Sequence, residues 1–179
     1  MKKIHGVIRT GTSQHGGKRM KIVTEDVIYE IQGTYHIQVW RDGKLKEERI
    51  VPNIVTTVGK QLVLNLLGRK TAITGLEVIG IGTDSTTEVV GNTTLGTEVT
   101  RENITYTSTI TGSGVAMTFS AFFEADDPGV TYDIAEVGMF GNGATLTANS
   151  GTLFSRKTFT AVEKETGIDT LTVDYSLSF

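Results

Sequence analysis

Acid–base and nucleophilic chemistry depends on a few residue types, and this 179-residue chain holds few of them in usable patterns. Its three histidines are His5, His15 and His36. A histidine exchanges protons near neutral pH, but a triad or a metal centre also needs a nucleophile or further ligands beside it. His5 and His15 fall in an unpatterned N-terminal stretch, and His36 alternates onto the polar side of a strand pattern. Cysteine is absent, which removes thiolate nucleophiles, thiolate zinc sites and disulfides. Glycoside hydrolysis requires two carboxylates flanking a sugar. Asp126 and Asp127 adjoin Pro128-Gly129, a turn that accounts for both, and Glu98 and Glu102 read as solvated strand or loop residues. Glu136, between Ile134 and Val137, reads as a buried, hydrogen-bonded structural carboxylate. Asp84 and Glu88 lack the dense oxygen spacing of a calcium loop. Gly80-Ile81-Gly82 and Gly141-Asn142-Gly143 precede no helix whose N-terminus would hold a phosphate. Tyr35, Trp40 and Tyr106 could form a sugar- or base-stacking surface, although core packing explains them equally well. The expectation is a non-enzymatic chain with no cofactor and no metal.

Charge separates the chain into two parts. Lys2, Lys3, Arg9, Lys18, Arg19 and Lys21 all precede the first acid, Glu25, and the remainder carries 11 bases against 20 acids. A basic arm over residues 1–33 therefore precedes an acidic body. Such an arm is either a solvated tail or an anchor that docks on an acidic neighbour. The net charge of −3 is too mild for nucleic-acid binding by the whole chain. Ile4 to Arg9 falls short of the apolar core of a signal peptide, and no apolar run is long enough to cross a membrane. A soluble protein made in a cytoplasm is expected.

The elements that would position these residues read as strands. Threonine accounts for 29 residues and glycine for 21, with only two prolines, a composition suited to pleated surfaces and tight turns. Tyr35, Ile37 and Val39 alternate with polar neighbours, Asp42-Gly43 supplies a two-residue turn, and Lys44 to Val51 returns: a hairpin. Ile54, Val55, Val58, Leu62, Leu66 and Leu67 recur at helical spacing, predicting a packed helix near 54–68 with Asn53, Thr56 or Thr57 as N-cap and Gly68 as stop. Leu76 to Ile81 reads as a strand buried on both faces, Glu98 to Ile110 as one long strand, and Val115 to Phe123 as another. A phase shift between Ile134 and Val137 marks a bulge. Gly141 to Gly151 reads as a flexible loop. Leu153–Val162 and Ile168–Phe179 complete seven to nine strands and one helix. The pattern predicts an all-β, antiparallel β-sandwich of jelly-roll or Greek-key type over residues 34–179.

Several of these segments together resemble small structural proteins of tailed-bacteriophage virions, of the tail or tail-fibre-associated kind. The resemblance runs through Val39–Leu45, Pro52–Gly59, Ile79–Thr86, Thr94–Arg101, Ile134–Phe140 and Gly151–Arg156, covering roughly residues 35–179. It implies a virion location, contacts with other virion proteins of the tail, neck or capsid, and a homo-oligomer, with trimers in keeping with phage fibres and cement proteins alike. Its recurring charges are Glu98, Arg101, Glu136 and Arg156, and Glu136 is expected to pair with Arg156 or Arg101. A capsid decoration protein is the neighbouring alternative, and a host-glycan-binding module the more distant one. No nucleic-acid or membrane partner is implied.

Overall fold

Asp42-Gly43 shows how closely local chemistry dictates this fold. Both residues take positive φ (49° and 72°), the geometry of the tight turn that matches the twist of two antiparallel strands. The turn joins β1 (Gln32–Arg41) to β2 (Lys44–Pro52). The computed structural model describes residues 32–68, 72–111 and 114–178. The predicted basic residues Lys2, Lys3, Arg9, Lys18, Arg19 and Lys21 lie outside the described residues.

The elements that follow are β3 (Ile54–Val55), α1 (Thr57–Leu67), β4 (Leu76–Gly82), β5 (Glu98–Asn103), β6 (Thr105–Thr111), β7 (Gly114–Phe123), β8 (Tyr132–Gly141), β9 (Thr152–Lys164) and β10 (Asp169–Ser178). They form two antiparallel five-stranded sheets. The first has the order β2-β1-β10-β7-β6, and the second β3-β9-β8-β4-β5. The protein is an all-β sandwich. Its main core lies between the sheets, with Tyr35, Ile37, Val39, Phe119, Phe123, Val173 and Tyr175 from the first meeting Ile79, Ile81, Val137, Met139 and Phe154 from the second. These are the inward positions of a period-two alternation, which is what selects the register.

Three features depart from the sequence reading. The run from Glu98 to Ile110 is two strands, not one. Ile104 interrupts it by donating its backbone N–H to Glu77 O, after which β6 pairs with β7 in the other sheet. Helix α1 starts at Thr57 and not at residue 54, because Ile54 and Val55 pair with Arg156 and Ser155 of β9. Thr56 is its N-cap; its hydroxyl accepts from Gly59 N and donates to Leu153 O, so one side chain begins the helix and fastens it to β9. Finally, the described residues form ten strands where seven to nine were expected. The expected phase shift is present: the β8–β9 register breaks between Ile134 and Glu136, which lets Ile134 and Val137 both enter the core while Glu136 turns outward.

Candidate functional site

The outward face of the second sheet carries the recurring charges. The register aligns Arg101, Gly80, Gly138 and Arg156 across β5, β4, β8 and β9, and the next row aligns Glu98, Gly82 and Glu136. Two arginines and two glutamates thus surround a floor made by three glycines. The vacancy has a use. Leu95, from the loop between β4 and β5, drops onto that floor, and a Cβ at Gly138 would lie 2.9 Å from both its Cδ2 and Leu153 Cδ1. A Cβ at Gly80 would press on Leu95 Cδ1 at 3.3 Å. Leu95, Val78, Phe140, Leu153 and Ala144 form a second, smaller core on this side.

Glu136 is fully buried in that arrangement. Its carboxylate accepts Gly96 N at 2.9 Å, Thr97 N at 2.7 Å and Arg156 Nε at 2.9 Å. Arg156 is buried too, and also donates to Asp84 Oδ2 at 2.8 Å and Asn92 Oδ1 at 3.2 Å. One strand carboxylate and one strand guanidinium therefore grip both limbs of the 83–97 loop. Glu136 pairs with Arg156, and Arg101 takes Glu98 through both carboxylate oxygens. Glu98 is buried against Arg101, a correction to its reading as a solvated residue. Arg101 also donates to Ser150 O at 2.9 Å and lies 3.9 Å over the Phe140 ring, which holds the 142–151 loop down. Composition marks that loop as flexible; Arg101 and the Ser150–Thr145 bonds fasten it.

The chain matches no protein-family model, no curated protein and no solved structure.

Further anchors hold the same loop. Glu88 is buried and receives Lys157 Nζ at 2.5 Å and Thr158 Oγ1 at 2.7 Å. Burial pushes its carboxyl upward, but the Lys157 and Thr158 bonds outweigh that and bring it down to about 2. Asp84 is held below the ordinary aspartate range by Thr86 first, through its backbone N–H and its hydroxyl, and after that by Arg156. Asp84 and Glu88 thus serve different cations and share no site. Asp84 is legible in the sequence only as a poor calcium ligand, and the anchoring roles of Leu95, Asn92 and Lys157 have no local pattern that announces them. The available signal was glycine at outward positions of buried strands, in Gly80-Ile81-Gly82 and Val137-Gly138-Met139, which marks a close approach by another segment.

Two clusters elsewhere complete the charged groups of interest. Glu163, Glu165 and Asp169 bring carboxylates together, the one group of metal-ligating type among the described residues. The position a metal would take is served by side-chain cations: Arg41 Nε reaches Asp169 at 2.7 Å, and Lys46 Nζ reaches Asp169 at 2.8 Å and Glu163 at 3.1 Å. Lys164 is buried and donates to the carbonyls of Glu124, Ala125 and Asp127, so it ties down the cis-Pro turn that precedes β8; desolvation holds it below the ordinary lysine range. The aromatic residues considered for stacking are not brought together. Tyr35 is in the core, Trp40 is on the outer side of β1, and Tyr106 lies on β6 at the far edge of the sheet. His36 bonds Glu48 at 2.6 Å on that same outer side of β1.

Proposed function

We propose that this chain is a non-enzymatic structural component of a tailed-phage virion, located at the tail, neck or fibres and assembling by protein–protein contacts. The observation that carries the reading is convergence. Four of the segments that resemble such proteins, Ile79–Thr86, Thr94–Arg101, Ile134–Phe140 and Gly151–Arg156, belong to two hairpins well separated in sequence that meet on one face of the second sheet. What they build together is a clamp: its carboxylates accept backbone N–H groups and guanidinium N–H groups that fix two long loops. A fixed, loop-covered face suits a building block whose contacts must recur identically from copy to copy. Buried ion pairs of this kind specify an arrangement more than they stabilise it.

The test is the number of copies of this chain per purified particle, by quantitative mass spectrometry against the major capsid protein. A few to a few tens of copies is the expected result. Hundreds of copies would move the protein to the capsid surface as a decoration protein, and absence from the particle would end the structural reading.

A further inference from the structure

Each sheet of the sandwich has two edge strands, and an edge offers unpaired N–H and C=O groups to any neighbouring chain. Three of the four edges are protected. β2 (KLKEERIVP) carries five charges and ends in proline, β3 is two residues long, and β5 (EVTREN) is short and carries three charges. β6 differs. Its seven residues, TYTSTIT, include no charge, no proline and no glycine, and all are residues suited to strands or hydroxyl-rich surfaces. Among the described residues only β7 pairs with it, on one side, through the register Thr105↔Ser120 to Thr111↔Gly114. Tyr106, on the side of the sheet that bears Phe119, is 71% exposed although its ring lies 6.5 Å from the Phe119 ring.

The β6 sequence also reads almost the same in both directions about Ser108. Thr105, Tyr106 and Thr107 on one side are answered by Thr111, Ile110 and Thr109 on the other. We propose that β6 is the site of self-association: two copies of this chain pair their β6 edges antiparallel about a twofold axis at Ser108, joining the first sheets into one. In this register Thr105 stands opposite Thr111 of the partner subunit, Tyr106 opposite Ile110 of the partner subunit, and Thr107 opposite Thr109 of the partner subunit. Hydroxyl residues meet hydroxyl residues, and an aromatic residue meets a β-branched one, both favourable cross-strand pairs. No charge meets a like charge. An antiparallel pair about a twofold is self-complementary and closes on itself, so the association stops at two copies and leaves no further edge of this kind exposed. The inference names a self-contact for the assembly role proposed above, and rests on that reading only in expecting such a contact.

The full chain contains no cysteine, so single-cysteine variants report the register directly. Opposed Cα atoms in an antiparallel pair stand about 4.5–5.5 Å apart, within disulfide reach. Two copies of Thr105 would be about 20 Å apart, at roughly 3.4 Å per residue. The expected results are a sedimenting species of twice 19.3 kDa for the unmodified chain, rapid oxidative cross-linking of Ser108→Cys, and none of Thr105→Cys alone. Ser108→Lys, which sets two ammonium groups across the axis, should weaken the dimer at least tenfold with the far-UV circular dichroism unchanged. A monomer or a trimer at every accessible concentration overturns the proposal, as does cross-linking of Thr105→Cys as readily as Ser108→Cys. Copy number on the particle is read separately, so a chain found on virions but monomeric through β6 sinks this inference and not the assembly role.

Discussion

Replacing Glu136 with glutamine keeps the shape of its side chain and removes the charge that faces Arg156. The amide retains one carbonyl oxygen for Gly96 N and Thr97 N, and it sets an NH2 group against Arg156 or against those same backbone donors. Arg156 remains buried with Asp84 as its one remaining carboxylate partner among the described residues. Breaking a buried pair from one side typically costs about 3–5 kcal/mol. Because Arg156 keeps Asp84, the lower part of that range, about 3 kcal/mol, is expected for Glu136→Gln. In a domain of this size that corresponds to a fall of roughly 6–12 °C in Tm. The double substitution Glu136→Gln with Arg156→Met should recover part of the loss, since it removes the stranded cation as well. A thermal melt settles the matter, and an unchanged Tm for Glu136→Gln would show that the pair holds nothing in place.

At the scale of elements, the 83–97 loop is secured by carboxylates, so acid should release it before the sheets unfold. Glu88 is drawn down to about 2 and Asp84 is also lowered, both by partners that exist only in the folded protein. A carboxyl whose folded value is depressed contributes its full stability above the unfolded value and loses it as the pH falls toward the folded one. The contribution of Glu88 is therefore constant from neutral pH down to about 5 and disappears between its ordinary value of 4.5 and about 2. Glu102 acts in the opposite sense, because burial and the nearby Asp127 raise it and its protonation relieves strain in the folded state. Hydrogen exchange of the loop amides should rise through the 4.5-to-2 window, and Glu88→Gln should flatten that rise. Equal profiles for the two proteins would remove Glu88 from the latch. The sequence made the strands of this arrangement readable and the latch largely unreadable, for a physical reason. Alternation and turn chemistry are local, so Asp42-Gly43 and the Ile134–Val137 phase shift were visible. The partners of Glu136 lie 20 to 40 residues away, and only the folded register brings Gly96, Thr97 and Arg156 to it. The break at Ile104 was hidden for the same reason: a change of sheet leaves no mark on the alternation of Glu98 to Ile110.

The whole molecule depends on its last described strand. Sheet by sheet, the chain is laid down in hairpins: β1 with β2, β4 with β5, β6 with β7, and β8 with β9. β10 is different, because it lies in the middle of the first sheet and joins two hairpins that are not hydrogen-bonded to each other. One side pairs with β1 from Gln32↔Ser178 to Arg41↔Asp169, and the other pairs with β7 from Leu171↔Phe123 to Ser178↔Ala116. Tyr175 of β10 lies 4.7 Å from the Tyr35 ring and 6.3 Å from the Phe119 ring, so the aromatic centre of the core is also divided between those three strands. Isolated hairpins are marginal in water, and pairings this distant in sequence form only after a large loss of chain entropy. A chain ending at Ile168 should therefore lack a cooperative thermal transition, with both hairpin edges and the inner faces of β1 and β7 left open. Supplying Asp169–Phe179 as a separate peptide should restore the transition by filling the vacant lane through the same backbone pairing. If the shortened chain instead melted cooperatively near the Tm of the full one, the remaining strands would have to close the first sheet by themselves, and β10 would be an addition to the sandwich and not the strand that completes it.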